Sequence, residues 1–151
     1  MDNITISKAT LDDLDEIYNI DTLSFPIPWS KESIKTEINN MFCEFLVAKY
    51  QDMIVGYVIS WLVMDECQIA NIAIHPDYRK QKIASKLILE LLKICKKRKI
   101  TYIILEVRES NIPAQSLYKS FGFTEEIIRK DYYKNPDGSR ENAINMILEL
   151  W

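Results

Sequence analysis

Residues 71–84 read Asn71-Ile-Ala-Ile-His-Pro-Asp-Tyr-Arg79-Lys-Gln-Lys-Ile-Ala84: a strand end, a polar basic loop and the first turn of a helix. The strand, 68–74, is apolar and is closed by Pro76. Ala84, Leu87, Ile88, Leu91, Leu92 and Cys95 then recur at helical spacing, so a helix over 84–95 lays one apolar face on a sheet. Downstream, 101–107 is an almost continuous β-branched and aromatic run, expected of a central strand covered on both faces. Asn111 caps a helix carrying Ala114, Leu117, Tyr118 and Phe121 on one face, with Gly122 at its C-terminus. Two closing strands, near 124–133 and 143–150, flank an Asn-Pro-Asp-Gly turn.

Upstream, 4–7 alternates apolar and polar as a short strand, and Thr10 caps a helix with Leu11, Leu14, Ile17 and Tyr18 at helical spacing. Ser30 caps a second, weaker helix through Ile34 and Ile38. Residues 44–49 and 53–64 read as two strands joined by Tyr50-Gln51-Asp52. The order is strand, helix, helix, three strands, helix, strand, helix, two strands. It specifies an α/β (α+β) fold, a mixed sheet of about seven strands with about four helices on its two faces.

The chain has 151 residues, 48% hydrophobic and 27% charged, with 3 Gly and 5 Pro and no repeat or linker, so one domain is expected over 1–151. Roughly 70% of the unfolded surface is buried at this length, enough for a core without disulfide or metal staples. The three cysteines, Cys43, Cys67 and Cys95, stand at wide spacing beside one histidine, which excludes a disulfide framework and a Cys/His zinc site; no ligand cluster implies a metal. The N-terminus has no basic stretch followed by an apolar run, and no apolar run reaches bilayer length, so a cytoplasmic protein without a membrane partner is expected. A formal charge of −3 argues against wholesale nucleic-acid binding and leaves room for a cationic substrate. The cations from Lys93 to Lys99 complement the dipole at a helix end.

Chemistry concentrates in two places. Around residues 79–84, the helix's free amides, its dipole and the side chains of Arg79, Lys80 and Lys82 suit a phosphate; composition alone equally describes a solvated connection. In Leu105-Glu106-Val107-Arg108 an acid interrupts an apolar strand, either as a working carboxylate or as a partner of Arg108 at a frayed strand end. Tyr118, on the apolar stripe of the next helix, points its hydroxyl at the sheet; a buried tyrosine in isolation is core with a hydrogen-bonded hydroxyl. His75, before a proline, reads as an exposed connector.

The run 71–84, then Leu105-Glu-Val-Arg-Glu-Ser-Asn111, then Leu117-Tyr-Lys-Ser-Phe-Gly-Phe123, resembles the GNAT superfamily of acetyl-coenzyme-A-dependent N-acetyltransferases. Within it the chain is most similar to the bacterial ribosomal-protein-alanine N-acetyltransferases. Phe25-Pro-Ile-Pro-Trp-Ser30, Asp65-Glu66 and Arg129-Lys-Asp-Tyr-Tyr133 through Asp137-Gly138 to Ala143 extend the likeness over essentially the whole chain.

The resemblance implies acetyl-coenzyme A as cosubstrate, its arm lying along Ile72, Ala73 and Ile74 as an added strand and its pyrophosphate on Arg79, Lys80, Gln81, Lys82, Ile83 and Ala84. It implies that Asn111 bonds the arm, Glu106 is general base and Tyr118 general acid, with direct attack and no acyl-enzyme, so that no cysteine is needed. The acceptor it implies is a protein N-terminus, that of the eighteenth small-subunit ribosomal protein, with Trp29, Asp65, Glu66, Tyr132 and Tyr133 around its channel. An α-amine of pKa near 7.7 to 8.0 is roughly a tenth unprotonated at neutral pH, a lysine near 10.4 only about one part in a thousand, which favours the former as acceptor. Backbone amides from Ile72 or Ala73 would face the charge developing on the thioester carbonyl oxygen.

One position departs from the family pattern Gln/Arg-x-x-Gly-x-Gly/Ala: Lys82 stands at the first glycine. A positive φ there would cost a side chain about 1 kcal/mol or somewhat more. Two other readings stay open: an N-acetyltransferase for small amines, and a non-catalytic module that binds coenzyme A as a sensor. Monomer and weak homodimer are both compatible with the sequence.

Overall fold

The computed structural model describes residues 3–150 of the domain expected over 1–151. The elements are β1 (Ile4–Lys8), a 3-10 turn (Leu11–Asp13), α1 (Leu14–Ser24), α2 (Lys31–Ile38), β2 (Cys43–Tyr50), β3 (Met53–Val63), β4 (Glu66–Ile74), a second 3-10 turn (Pro76–Tyr78), α3 (Ile83–Lys97), β5 (Tyr102–Arg108), α4 (Ile112–Ser120), β6 (Thr124–Lys134) and β7 (Arg140–Glu149). One seven-stranded sheet runs in the order β1-β2-β3-β4-β5-β7-β6. Every neighbouring pair is antiparallel except β4–β5. The mixed sheet and four helices are those expected, in the expected order.

Strand alternation sends side chains to two cores. Cys43, Phe45 and Val47 of β2 and Tyr57 and Ile59 of β3 pack with Ile17 and Ile20 of α1 and Ile34 of α2. Leu46 and Ala48 of β2, Val55 and Val58 of β3 and Ile103, Leu105 and Val107 of β5 pack with α3 and with Tyr118 and Phe123 on the other face. The α3 stripe is buried at Leu87, Ile88, Leu91 and Cys95, with Ile83 added at its start. None of the helices is long and apolar enough to cross a membrane among the described residues.

Local chemistry sets the boundaries. Ser30 caps α2 by accepting from the Ser33 amide at 3.0 Å, and Asn111 caps α4 by accepting from the Ala114 amide at 3.2 Å. Gly122, at φ +99, ends α4 in the left-handed region that a glycine adopts without strain. Gln51 and Asp52 both take positive φ between Tyr50 and Met53, the backbone a two-residue hairpin turn requires.

Three expectations change. The Thr10 cap is real, its amide donating to Asp13 at 2.9 Å, but it opens the 3-10 turn, and α1 starts only at Leu14. That phase buries Ile17, Ile20 and Asp21 and leaves Tyr18 exposed. Strand β5 is not covered equally on both faces: Ile103, Leu105 and Val107 are buried, whereas Ile104 and Glu106 are only partly so, Glu106 lining an open cavity at the strand's end.

Candidate active site

The β4–β5 ladder is short. It runs from Glu66 opposite Tyr102 to Ile69 opposite Leu105, and beyond it β4 continues to Ile74 and β5 to Arg108 without pairing. A bulge helps them part: Ile59 faces Asn71 but Ser60 faces Ile69, leaving Ala70 as the extra residue of β4. The freed edge of β4 offers main-chain groups to an extended ligand.

Two cavities occupy the splay, of about 260 and about 540 Å³. Ser24, Phe25, Ile72, Asn111, Ala114 and Tyr118 line both and form their common wall.

The larger cavity is bounded by Ile72, Ala73, Ile74, Arg79, Lys80, Lys82, Ile83 and Ala84; Gln81 lies in the same loop but off the lining. The Lys82 carbonyl accepts the first helical bond of α3, from Lys86 at 3.1 Å, so the amides at 83–85 start the helix unpaired and face an anion's position. Arg79 is braced by the Ile74 carbonyl (3.0 Å) and the Ser24 hydroxyl (3.3 Å). Lys82 has φ 63 and ψ 21, and Lys80 has φ 62, so the residue at the family's glycine position does adopt the left-handed backbone. Two side chains here carry backbone strain, and both are cations beside the helix start. A freed strand edge, three cations and an open helix N-terminus fit a phosphorylated, amide-bearing arm.

The smaller cavity holds Glu106, with Trp29, Asn71 and Tyr133 around it. The Glu106 side chain, 15% exposed, is not paired with Arg108; Arg129 of β6 donates to it from Nε at 2.9 Å. Arg108 instead bonds Glu141 at 3.0 Å and Asn135 at 2.9 Å, with its guanidinium over the Tyr133 ring. Burial first, and then the Glu106 charge, push Tyr133 up to about 12. The adjoining Glu106 carboxylate also raises the phenol of Tyr132, an exposed residue at the rim.

Tyr118 is 5% exposed, and burial raises its phenol well above the ordinary value, which keeps the proton on at neutral pH. Its ring packs on Phe123, with centroids 5.7 Å apart. Among the described residues its hydroxyl has no protein partner, contrary to the usual fate of a buried tyrosine, and it sits on the wall between the cavities. Asn111, also on that wall, spends its Oδ1 on the cap.

Asp65 and Glu66 lie at the closed end of the splay. Asp65 accepts from Thr101 through both its carbonyl and its carboxylate, and Glu66 accepts from the Tyr102 hydroxyl at 2.6 Å, so both fasten β4 to β5 and neither lines a cavity. His75 is half-buried rather than exposed and caps the second 3-10 turn by accepting from the Asp77 amide at 3.1 Å. All three cysteines are buried away from both cavities. Among the described residues no group of His, Cys, Asp and Glu side chains could hold a metal.

Two site residues escaped the sequence reading. Arg129 gives no signal on an exposed strand. Asp21 does give one, an acid four residues past Ile17 on the apolar stripe of α1; it is fully buried, and takes the Trp29 amide at 2.6 Å, the Asn71 side chain at 2.8 Å and the Tyr57 hydroxyl.

Residues 14–123 match the acetyltransferase (GNAT) family. A ribosomal protein bS18-alanine N-acetyltransferase of Haemophilus ducreyi is 40% identical over 140 residues, covering 91% of this chain and 94% of that protein. The enzyme of the same name from Escherichia coli strain K12 is 36% identical over 146 residues, covering 97% of each. The crystal structure of the ribosomal-protein-S18-alanine N-acetyltransferase from Escherichia coli superposes with a TM-score of 0.90 at 34% identity, covering 97% of this chain and 93% of that one.

Proposed function

Since this chain belongs to the acetyltransferase (GNAT) family and takes its acetyl group from acetyl-coenzyme A, we propose that the acceptor is a protein N-terminal α-amine, that of the N-terminal alanine of ribosomal protein bS18. The names of the relatives support the acceptor. An acceptor that is a ribosomal protein supports a cytoplasmic location.

The observation that carries the chemistry is the pairing of Glu106 and Tyr118 on one cavity, the first a partly buried carboxylate and the second a protonated, unpartnered hydroxyl. Acetyl-coenzyme A supplies an activated thioester. Arg79, Lys80 and Lys82 with the start of α3 bind its phosphates, and the β4 edge at Ile72, Ala73 and Ile74 orients its arm and faces charge developing on the carbonyl oxygen. Glu106 takes the proton of the attacking α-amine, directly or through a water, and Tyr118 gives its proton to the departing sulfur. Attack is direct, which agrees with cysteines buried outside the site. Trp29 and Tyr133 wall the acceptor side, with Tyr132 at its mouth.

The test is release of coenzyme A with a peptide beginning Ala-Arg, beside its N-blocked twin and a panel of small amines, for wild type and Glu106→Gln. Turnover of the free-amine peptide alone, lost in the variant, is expected. Turnover of small amines only would move the acceptor to that class, and binding of acetyl-coenzyme A without any turnover would make the protein a sensor.

A further inference from the structure

We propose that Arg129 is an internal stand-in for the acceptor's ammonium group: its guanidinium holds the Glu106 carboxylate while the site is empty, and acceptor binding exchanges one cation for the other. This rests on the reading of Glu106 as the base that receives the amine.

Three observations carry it. Arg129 meets Glu106 through Nε alone, at 2.9 Å, and is itself 49% exposed where Glu106 is 15% exposed, so it reaches in from the open side of the site. The other arginine nearby is fixed: Arg108 is bonded to Glu141, Asn135 and the Lys134 carbonyl, whereas Arg129 adds to its Glu106 pair a Tyr132 ring 5.9 Å from its Cζ and, among the described residues, no second ion pair. The backbone beneath Arg129 is also irregular. Strand β6 is an edge, and between Arg129 opposite Ala143 and Tyr133 opposite Glu141 three residues face one, with Asp131 at φ 52.

At Glu106 a cation supplies the compensation. A carboxylate mostly removed from water is costly when uncompensated, so a site that must present one to an ammonium ion needs a counter-charge that can leave. A half-exposed ion pair is weak enough to be displaced. Only an acceptor bringing its own positive charge can replace the charge of Arg129 beside Glu106; the neighbouring Tyr132 hydroxyl brings a hydrogen bond but no charge. An N-blocked chain or a neutral end cannot make the exchange, so the pair competes with free amines and leaves blocked chains of identical sequence untouched. Arg129 is thus a positioning residue that acts through Glu106 and sets how tightly the free amine binds.

The test compares wild type, Arg129→Gln and Arg129→Lys in peptide turnover, and in calorimetric binding of the free-amine peptide and its N-blocked twin to the coenzyme-A-loaded protein. The Gln variant is expected to bind the free-amine peptide roughly two- to fivefold more tightly and to lower its KM by a similar factor, with the N-blocked twin unmoved. The Lys variant, which keeps the charge, is expected to stay near wild type and so separates charge from shape. Arg129 lies half exposed on an edge strand, and a thermal melt checks that each variant is folded. Weaker binding of the free-amine peptide to the Gln variant, or equal changes for both peptides, would make Arg129 a wall of the acceptor channel and overturn the exchange. If wild type turns over no peptide at all, the proposed acceptor fails and the exchange with it; if it does and the variants keep its selectivity, only the exchange fails.

Discussion

The Asn71 side-chain amide donates to the carboxylate of Asp21 at 2.8 Å inside the protein, joining β4 to α1 directly beneath the smaller cavity. The same carboxylate takes the Trp29 amide and the Tyr57 hydroxyl, so one buried side chain fixes two residues, Asn71 and Trp29, that line that cavity. Among the described residues no cation pairs with it; three donors satisfy it instead, which is what makes a buried carboxylate tolerable.

Removing that carboxylate strands three donors. Asp21→Ala is expected to cost about 3–5 kcal/mol, with Asp21→Asn costing less because the amide still accepts one bond. Urea unfolding of the two variants checks the order. A folded Asp21→Asn should also show a raised KM for the peptide with little change in acetyl-coenzyme A binding, since Trp29 and Asn71 line only the smaller cavity.

Tyr118→Phe removes only a hydroxyl with no protein partner. It is expected to leave the melting temperature almost unchanged and lower kcat about 10²-fold. Stopped-flow measurement of a single turnover with excess acceptor reads the chemical step; an unchanged rate would remove Tyr118 as the acid.

Burial raises the phenols of Tyr57, Tyr118 and Tyr133 in the folded protein, Tyr57 with the Asp21 charge adding to it. Raised groups release protons first in the unfolded chain, so above pH 10 the folded state binds more protons and stability falls as pH rises. Stability from these groups is complete below pH ~10 and is lost through the higher folded values. Melting temperatures from pH 8 to 11 are expected to hold and then drop, with a smaller drop in Tyr57→Phe measured against its own value at pH 8.

Lys82→Gly relieves a left-handed side chain and gives up a cation beside the α3 start. The strain relieved is about 1 kcal/mol, partly offset by the entropy a glycine loses on folding. Acetyl-coenzyme A binding is expected to weaken at low salt and to depend less steeply on salt than in wild type. Tighter binding at every salt concentration in calorimetry would show that the Lys82 charge compensates nothing.

Glu106 and Tyr118 stood out because each breaks a local pattern, an acid in an apolar strand and a polar end on an apolar stripe, though local pattern left both with structural readings and only the resemblance implied their roles. Arg129 did not, because its partnership depends on β7 and β6 folding back beside β5, a register no local pattern contains. Arg108, two residues from Glu106 and so on the same strand face, was the reasonable partner from sequence, yet Glu141 on the adjoining strand claims it. Asp65 and Glu66 were drawn towards the site by resemblance; the splay opens at the other end of β4, which only the ladder reveals. In α1 the unforeseen 3-10 turn shifted the helix phase, which exposed Tyr18 and put Asp21 inside.

The two cavities share a wall but little else. The larger is lined from the loop before α3, while the smaller is lined by residues between 25 and 29 and by the β5 and β6 ends. Heredity can therefore rewrite one mouth without disturbing the other, and a duplicated gene could acquire a new acceptor by a few changes far from the donor loop. Lys82 lines one mouth only, and Trp29 and Tyr133 line only the other.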